Sequence, residues 1–269
     1  MDDFNFVRAT SVAGAAAAFT TAPEARYLAG GQTLLPVMKQ RLAAPSDLIS
    51  LAHVAELGGI TVSRDMISIG AMTRHADVAA HAGIKAAIPA LAVLAGGIAD
   101  PHVRNRGTIG GSLANNDPAA DYPAAVLGLS ATVVTDKRRI VASDFFQGLF
   151  TTALEPGELI TRIEFPVPLR AGYVKFPHPA SRYALVGVLV CQGVNRVRVA
   201  VTGAGAGVFR VAEMEQALEA TFTPDAVANV AVADADLTSD HFGSAEYRAH
   251  LITVLAKRAV TQALQDDRS

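Results

Sequence analysis

The chain has 269 residues, 51% of them hydrophobic and 18% charged, with a formal net charge of −2. That fits one large domain, or two to three small ones, with a substantial core. The charge balance gives no electrostatic case for nucleic acid or an anionic membrane as partner. The single cysteine, Cys191, excludes an internal disulfide and a cysteine-ligated iron–sulfur cluster within this chain, which takes about four thiolates.

The N-terminus, MDDFNFVRAT, has no basic region and no apolar core, so no signal peptide is expected. No apolar run approaches the ~18 residues of a membrane span. The expected location is the cytoplasm, with a peripheral position at the inner membrane face as a variant of it. The seven histidines include no HExxH pair, and no protein-ligated metal site is expected.

In chain order, residues 12–19 read as a short helix and 25–31 as a strand ending at Gly30 and Gly31. Residues 46–51 form a second strand, and 57–70 a hairpin turning at Ser63 to Asp65. Residues 89–98 suit a buried helix, with Pro89 at its start and Gly96 and Gly97 at its end. Residues 131–142 are a hairpin turning at Asp136 and Lys137, and 158–166 a strand stopped by proline. The proline-rich stretch that follows marks a domain boundary near residue 168. Beyond it, two strands flank Gly193 to Asn195, the second of them carrying Arg198. The remainder reads as mostly helical, ending in an amphipathic helix with Leu251, Val254, Leu255 and Val260 on one face. Cys191, in the apolar run ALVGVLVCQGV, reads as a buried, inert thiol.

Two stretches stand out: YLAGGQTLLPVMK, with Gly30, Gly31, Gln32 and Thr33 in a row, and DPHVRNRGTIGGSLANNDPAADYP, with Gly110 and Gly111. Glycine permits close backbone approach and exposes N–H donors, while Thr33, Thr108 and Ser112 add hydroxyls. Two such loops suit a diphosphate held from two sides, although paired glycines also serve as plain turns. Neither loop contains the lysine of a Walker-type triphosphate site. A strand followed by Gly203-x-Gly205 imitates a dinucleotide fingerprint, but Val208 stands at the third glycine position. Asp117 and Asp121 lie four apart. They suit metal or acid–base work, helix capping, or a ribose hydroxyl.

Taken together, YLAGGQTLLPVMK and RNRGTIGGSLANNDPAADYP resemble the FAD-binding medium subunit of molybdenum hydroxylases, of the carbon monoxide dehydrogenase type and related to xanthine dehydrogenase. The likeness covers nearly the whole chain and includes GAMTRHADV, ELITRIEFP, YVKF and VFRVAEMEQAL. It implies an α+β fold. A vanillyl-alcohol-oxidase (PCMH)-type FAD-binding domain of two α/β subdomains (about 1–55 and 56–168) is followed by a C-terminal flavoprotein domain, 169–269, of antiparallel sheet and helices.

The resemblance also implies site residues. Leu28, Ala29, Gly30, Gly31, Gln32 and Thr33 would be the first diphosphate loop, and Thr108, Ile109, Gly110, Gly111 and Ser112 the second. Asp121 would stand near the ribose and adenine end. Ile98 and Ile160 would make apolar FAD contacts, Lys175 would lie close to the isoalloxazine, and Tyr183 would set a ring against the flavin. Many relatives carry an acid just before that aromatic; Arg182 stands there instead.

The function so implied is an FAD-carrying electron-transfer subunit, with no catalytic acid or base of its own. A large partner subunit would hold the molybdenum cofactor and a small one two [2Fe–2S] clusters, in a dimer of heterotrimers. The alternatives are a stand-alone FAD-dependent oxidase with its own pocket, for which about 100 residues after the boundary is small, and a non-enzymatic flavin-binding assembly subunit.

Overall fold

The computed structural model describes residues 1–22 and 24–265. Residues 266–269 of the predicted C-terminal domain lie outside them.

The N-terminal part is a three-stranded parallel sheet in the order β1 (Asn5–Arg8), β3 (Asp47–Ser50), β2 (Ala25–Leu28). Helix α1 (Val12–Thr21) makes one crossover and α2 (Leu34–Lys39) another. Ser11 starts α1 by accepting the Gly14 N–H on its hydroxyl. A small core of Ala15, Ile49, Leu51, Leu57 and Leu159 closes this unit.

The second unit is a five-stranded antiparallel sheet, with pairing confined to neighbours in the order β4 (Ile60–Val62), β5 (Met66–Gly70), β10 (Ile160–Pro166), β6 (Thr132–Thr135), β7 (Arg139–Val141). The chain between β5 and β6 folds into helices over it: α3 (His75–Ala80), α4 (Ala82–Ala87), α5 (Pro89–Gly96), α6 (Pro101–Arg104), α7 (Ile109–Asn115) and α8 (Tyr122–Gly128). Helix α8 is buried along its whole length, which its apolar sequence YPAAVLG permits; between β7 and β10 come α9 (Ala142–Phe145) and the short pair β8 (Phe146–Gly148) and β9 (Thr151–Thr152).

The C-terminal sheet is antiparallel, in the order β11 (Arg170–Pro177), β12 (Ala184–Gln192), β13 (Val197–Thr202), β14 (Phe209–Arg210). Both faces are covered. Val186, Val188 and Val190 join the core under α10 (Ala212–Ala220) and α11 (Ala245–Gln265), whereas Leu189 and Cys191 join the core of the second unit. The two-residue period of a strand thus sends alternate side chains into two different cores, and β12 reads as one unbroken apolar run. The buried Arg248 of α11 donates to the carbonyls of Leu185 and Gly203 and ion-pairs with Asp240, tying helix to sheet.

Both predicted hairpins form at the expected turns. Three readings need correction. Residues 170–177, within the proline-rich stretch that marks the boundary, are a full strand, because Pro177 falls at its last position and Pro179 beyond it. The chain from Thr221 to Ser244 is mostly irregular, not helical, apart from a short 3-10 turn at Pro224–Val227. Val254 is half-buried, and Ile252, Ala256 and Ala259 fill the buried face of α11 instead. The Gly203-x-Gly205 segment follows β13 of an antiparallel sheet, so it is not the turn of a parallel β–α–β unit.

A candidate dinucleotide cleft

A cleft of about 710 Å³ runs between the N-terminal loop after β2, the α6–α7 region and the turn between β11 and β12. Its size lies within the range of small-molecule and cofactor sites, roughly 300–1,000 Å³. Fourteen of the sixteen predicted site residues line it: Leu28, Ala29, Gly30, Gly31, Gln32, Thr33, Ile98, Thr108, Gly110, Gly111, Ser112, Asp121, Ile160 and Tyr183. Ile109 and Lys175 do not. Ile109 begins α7 with its side chain wholly in the core, so it is no FAD contact through that side chain.

The two glycine loops are built differently. In the first, Gly31 adopts φ +71, and the chain turns there into α2 with Thr33 as its flanking residue. The N–H groups of Gly30, Gly31, Gln32 and Thr33 donate to no protein acceptor among the described residues. Successive unpartnered amides around a left-handed residue form a concavity suited to anionic oxygen. Gly30 has a second reason to be glycine: a Cβ there would lie 2.1 Å from the carbonyl oxygen of Arg106.

In the second loop four of the five amides have protein partners. Ile109 N–H donates to the Thr73 carbonyl at 3.1 Å, Gly110 N–H to Ala71 at 2.8 Å and Ser112 N–H to Thr108 at 3.0 Å. Gly111 N–H donates to the Thr108 hydroxyl oxygen at 3.2 Å. Thr108 N–H, at the start of the loop, donates to no protein acceptor among the described residues. The loop also brings the Thr108 and Ser112 hydroxyls to the cleft. Its glycine at 110 is required by the protein itself, since a Cβ would sit 2.6 Å from Ala71 Cβ and 2.8 Å from Ala71 O. The partners of this loop, Ala71, Thr73 and His75, all come from the GAMTRHADV stretch, which backs the loop as an extended segment.

Other residues come into place through local hydrogen bonds. Arg104 donates to the carbonyls of Ile98 at 2.7 Å and Ala99 at 2.9 Å, fixing the turn that presents Ile98. Glu158, also at the cleft, has a fully buried carboxylate; burial pushes its pKa up, but hydrogen bonds from Arg138, the Glu155 N–H and Thr135 win and hold it at about 2. The segment before α8 is pinned to β13, with the Thr202 hydroxyl donating to Ala120 O at 2.7 Å and Gly203 N–H to Pro118 O at 2.8 Å.

Asp121 is 4% exposed. It accepts the Tyr173 hydroxyl at 2.6 Å and pairs with Lys175 Nζ at 2.9 Å. Burial pushes its carboxyl up, against the opposing pull of Lys175 and Tyr173. The pair joins the residue expected at the ribose and adenine end to the one expected at the isoalloxazine. Lys175 meets the cleft's lining at Asp121 and at the Arg182 carbonyl, 2.8 Å away.

Sequence reasoning gave no role to His75, which lines the cleft and is 5% exposed. Its Nδ1 has no hydrogen-bond partner among the described residues, and its ring lies 5.3 Å from that of Tyr122. Burial, with Arg104 nearby, lowers its pKa from 6.5 to about 4. The folded value is below the unfolded one, so the unfolded chain takes the proton first as pH falls. Folding stability is then expected to drop between about pH 6.5 and pH 4, by on the order of 3 kcal/mol from this group. Denaturant unfolding at both ends of that range checks it: His75→Gln should flatten the slope, and an unchanged slope would contradict the assignment.

The donor set fits FAD. Free amides and hydroxyls from two loops suit a diphosphate, and Leu28, Ile98 and Ile160 give apolar contact for rings.

Comparison with known proteins agrees. Residues 2–168 match a family model described as the FAD binding domain in molybdopterin dehydrogenase, and 173–263 one described as the CO dehydrogenase flavoprotein C-terminal domain. The chain is 34% identical to the glyceraldehyde dehydrogenase medium chain of Sulfolobus acidocaldarius, covering 96% of this chain and 97% of that one. It is 36% identical to the carbon monoxide dehydrogenase medium chain of Afipia carboxidovorans, covering 97% and 96%. Among solved structures, reconstituted CO dehydrogenase from Oligotropha carboxidovorans superposes with a TM-score of 0.89 at 32% identity over 99% of both chains.

Proposed function

Since this chain belongs to the family of FAD-binding medium subunits of molybdopterin dehydrogenases, we propose that it is the electron-transfer subunit of such a complex. FAD, when bound, supplies the redox chemistry, taking electrons from [2Fe–2S] clusters of a small partner subunit and passing them to an external acceptor. A large partner subunit holds the molybdenum cofactor and oxidises the substrate, so substrate choice is not a property of this cleft. The assembly is a dimer of heterotrimers in the cytoplasm. Among the described residues, no helix is long and apolar enough to cross a membrane.

The observation that carries this reading is the run of four unpartnered amides, Gly30 to Thr33, lining the same cleft as the Thr108 and Ser112 hydroxyls. In this proposal the amides hold the diphosphate and the second loop's hydroxyls complete its shell. Leu28, Ala29, Ile98 and Ile160 bound the rings with apolar surface, and Gly110 and Gly111 keep the second loop close. Tyr183 and Asp121 line the same cleft, with Lys175 paired to Asp121. The FAD-binding domain ends near residue 168, which the family matches to 2–168 and 173–263 support.

The test is the visible spectrum, with metal analysis, of the chain isolated from its native source with all co-purifying subunits. Flavin bands with iron–sulfur absorbance and molybdenum are expected. A lone flavinylated chain that itself turns over a small molecule would favour the stand-alone oxidase instead.

A further inference from the structure

The turn at residues 178–183 joins β11 to β12 and forms one wall of the cleft through Ala180, Ser181, Arg182 and Tyr183. Its own hydrogen bonds close it: His178 N–H donates to Tyr183 O at 2.7 Å and Arg182 N–H to His178 O at 2.9 Å. His178 Nδ1 accepts from the amides of Ala180 and Ser181. Yet these bonds lie within the turn and do not set its place over the cleft. Arg182 also holds φ +61, a left-handed backbone that a non-glycine residue keeps only when its surroundings impose it.

Outside the turn, Arg182 is met by Lys175. Its Nζ lies between the Arg182 carbonyl, 2.8 Å away, and the Asp121 carboxylate, 2.9 Å away. Asp121 belongs to the segment leading into α8, on the FAD-binding side, while Lys175 and Arg182 belong to the C-terminal sheet and its turn. Tyr173, two residues earlier on the same face of β11, donates its hydroxyl to Asp121 and is itself 3% exposed. From outside, the Phe242 ring packs edge-on against His178 at 4.1 Å.

We propose that Tyr173, Asp121 and Lys175 form a strap that holds the 178–183 turn over the cleft, Lys175 being a positioning residue that acts on a bound flavin nucleotide through Arg182 and Tyr183. Asp121 anchors the Lys175 charge, Tyr173 fixes the orientation of Asp121, and the remaining reach of Nζ goes to the one carbonyl that locks the turn. This rests on the reading of the cleft as the FAD site.

The strap is tested on the FAD-loaded chain by two rates measured together: tryptic cleavage after the exposed Arg182, followed by mass spectrometry, and release of FAD. Lys175→Met should raise both by about tenfold or more, the loss of a charge-assisted hydrogen bond to a carbonyl. Tyr173→Phe, which leaves the fold and the lysine in place, should raise both by a smaller factor. Unchanged cleavage in both variants would overturn the strap, as would faster FAD release without faster cleavage, which would make Lys175 a direct contact. A wild-type chain that takes up no FAD would defeat the reading of the cleft but not the strap, because the cleavage rates remain comparable without flavin.

Discussion

Gly30→Val is expected to give a folded chain that no longer retains FAD. A Cβ at this position would lie 2.1 Å from Arg106 O and 2.8 Å from Gly107 Cα. Both are backbone atoms, so no side chain can rotate out of the way. The loop must move by more than about 1 Å to restore ordinary contact, and the unpartnered amides of residues 30–33 move with it. Overpacking of this kind costs about 3 kcal/mol, here drawn from the bound state, which corresponds to roughly a hundredfold weaker binding. The loop is only half-buried, so the apo fold has room to accommodate the shift. Equilibrium titration with FAD, alongside far-UV circular dichroism, gives the answer. Wild-type affinity in this variant would remove the first loop from the site.

Gly110→Val should behave differently, although it too abolishes FAD binding. Its Cβ would meet Ala71 Cβ at 2.6 Å and Ala71 O at 2.8 Å, and Gly110 N–H already donates to that carbonyl. Here the clash lies inside the buried seam between α7 and the 70–75 segment, at the edge of the second unit's core. The expected outcome is a less stable apo protein, with the melting temperature down by about 10 °C for a loss near 3 kcal/mol. Thermal unfolding without FAD separates the two variants: Gly110→Val melts early and Gly30→Val does not. A Gly110→Val chain with the wild-type melting temperature that still loses FAD would mean that the second loop meets the ligand through its backbone after all.

That contrast shows what was legible in the sequence. The paired glycines pointed to close backbone approach, and close approach is what the fold shows. The sequence does not say what approaches. At Gly30 and Gly110 the neighbour is the protein's own backbone, Arg106 and Ala71, across gaps of about 75 and 40 residues in the chain. Hydrogen-bond partners at such separation leave no local periodic signal. The Asp121–Lys175 pair was hidden in the same way, because its members are 54 residues apart and meet only when the C-terminal sheet packs against the segment leading into α8.

Strands and hairpins were legible where turn residues and apolar runs agreed, as at Ser63 and at Asp136 and Lys137. The strand at 170–177 was masked by flanking prolines. The helices between residues 71 and 128 are short, and several are held by tertiary burial rather than by a clear amphipathic stripe; α5 and α8 are apolar nearly all round. His75 was visible only as part of a motif, and its buried, neutral state comes from neighbours that the sequence does not list side by side.

The central claim is that this cleft holds one FAD through the amides of residues 30–33. Its most direct test is flavin stoichiometry: the purified chain is stripped of cofactor, titrated with FAD and assayed for bound flavin per chain. The account predicts one tightly bound FAD in the wild-type chain, and a chain that folds but takes up no FAD would contradict it.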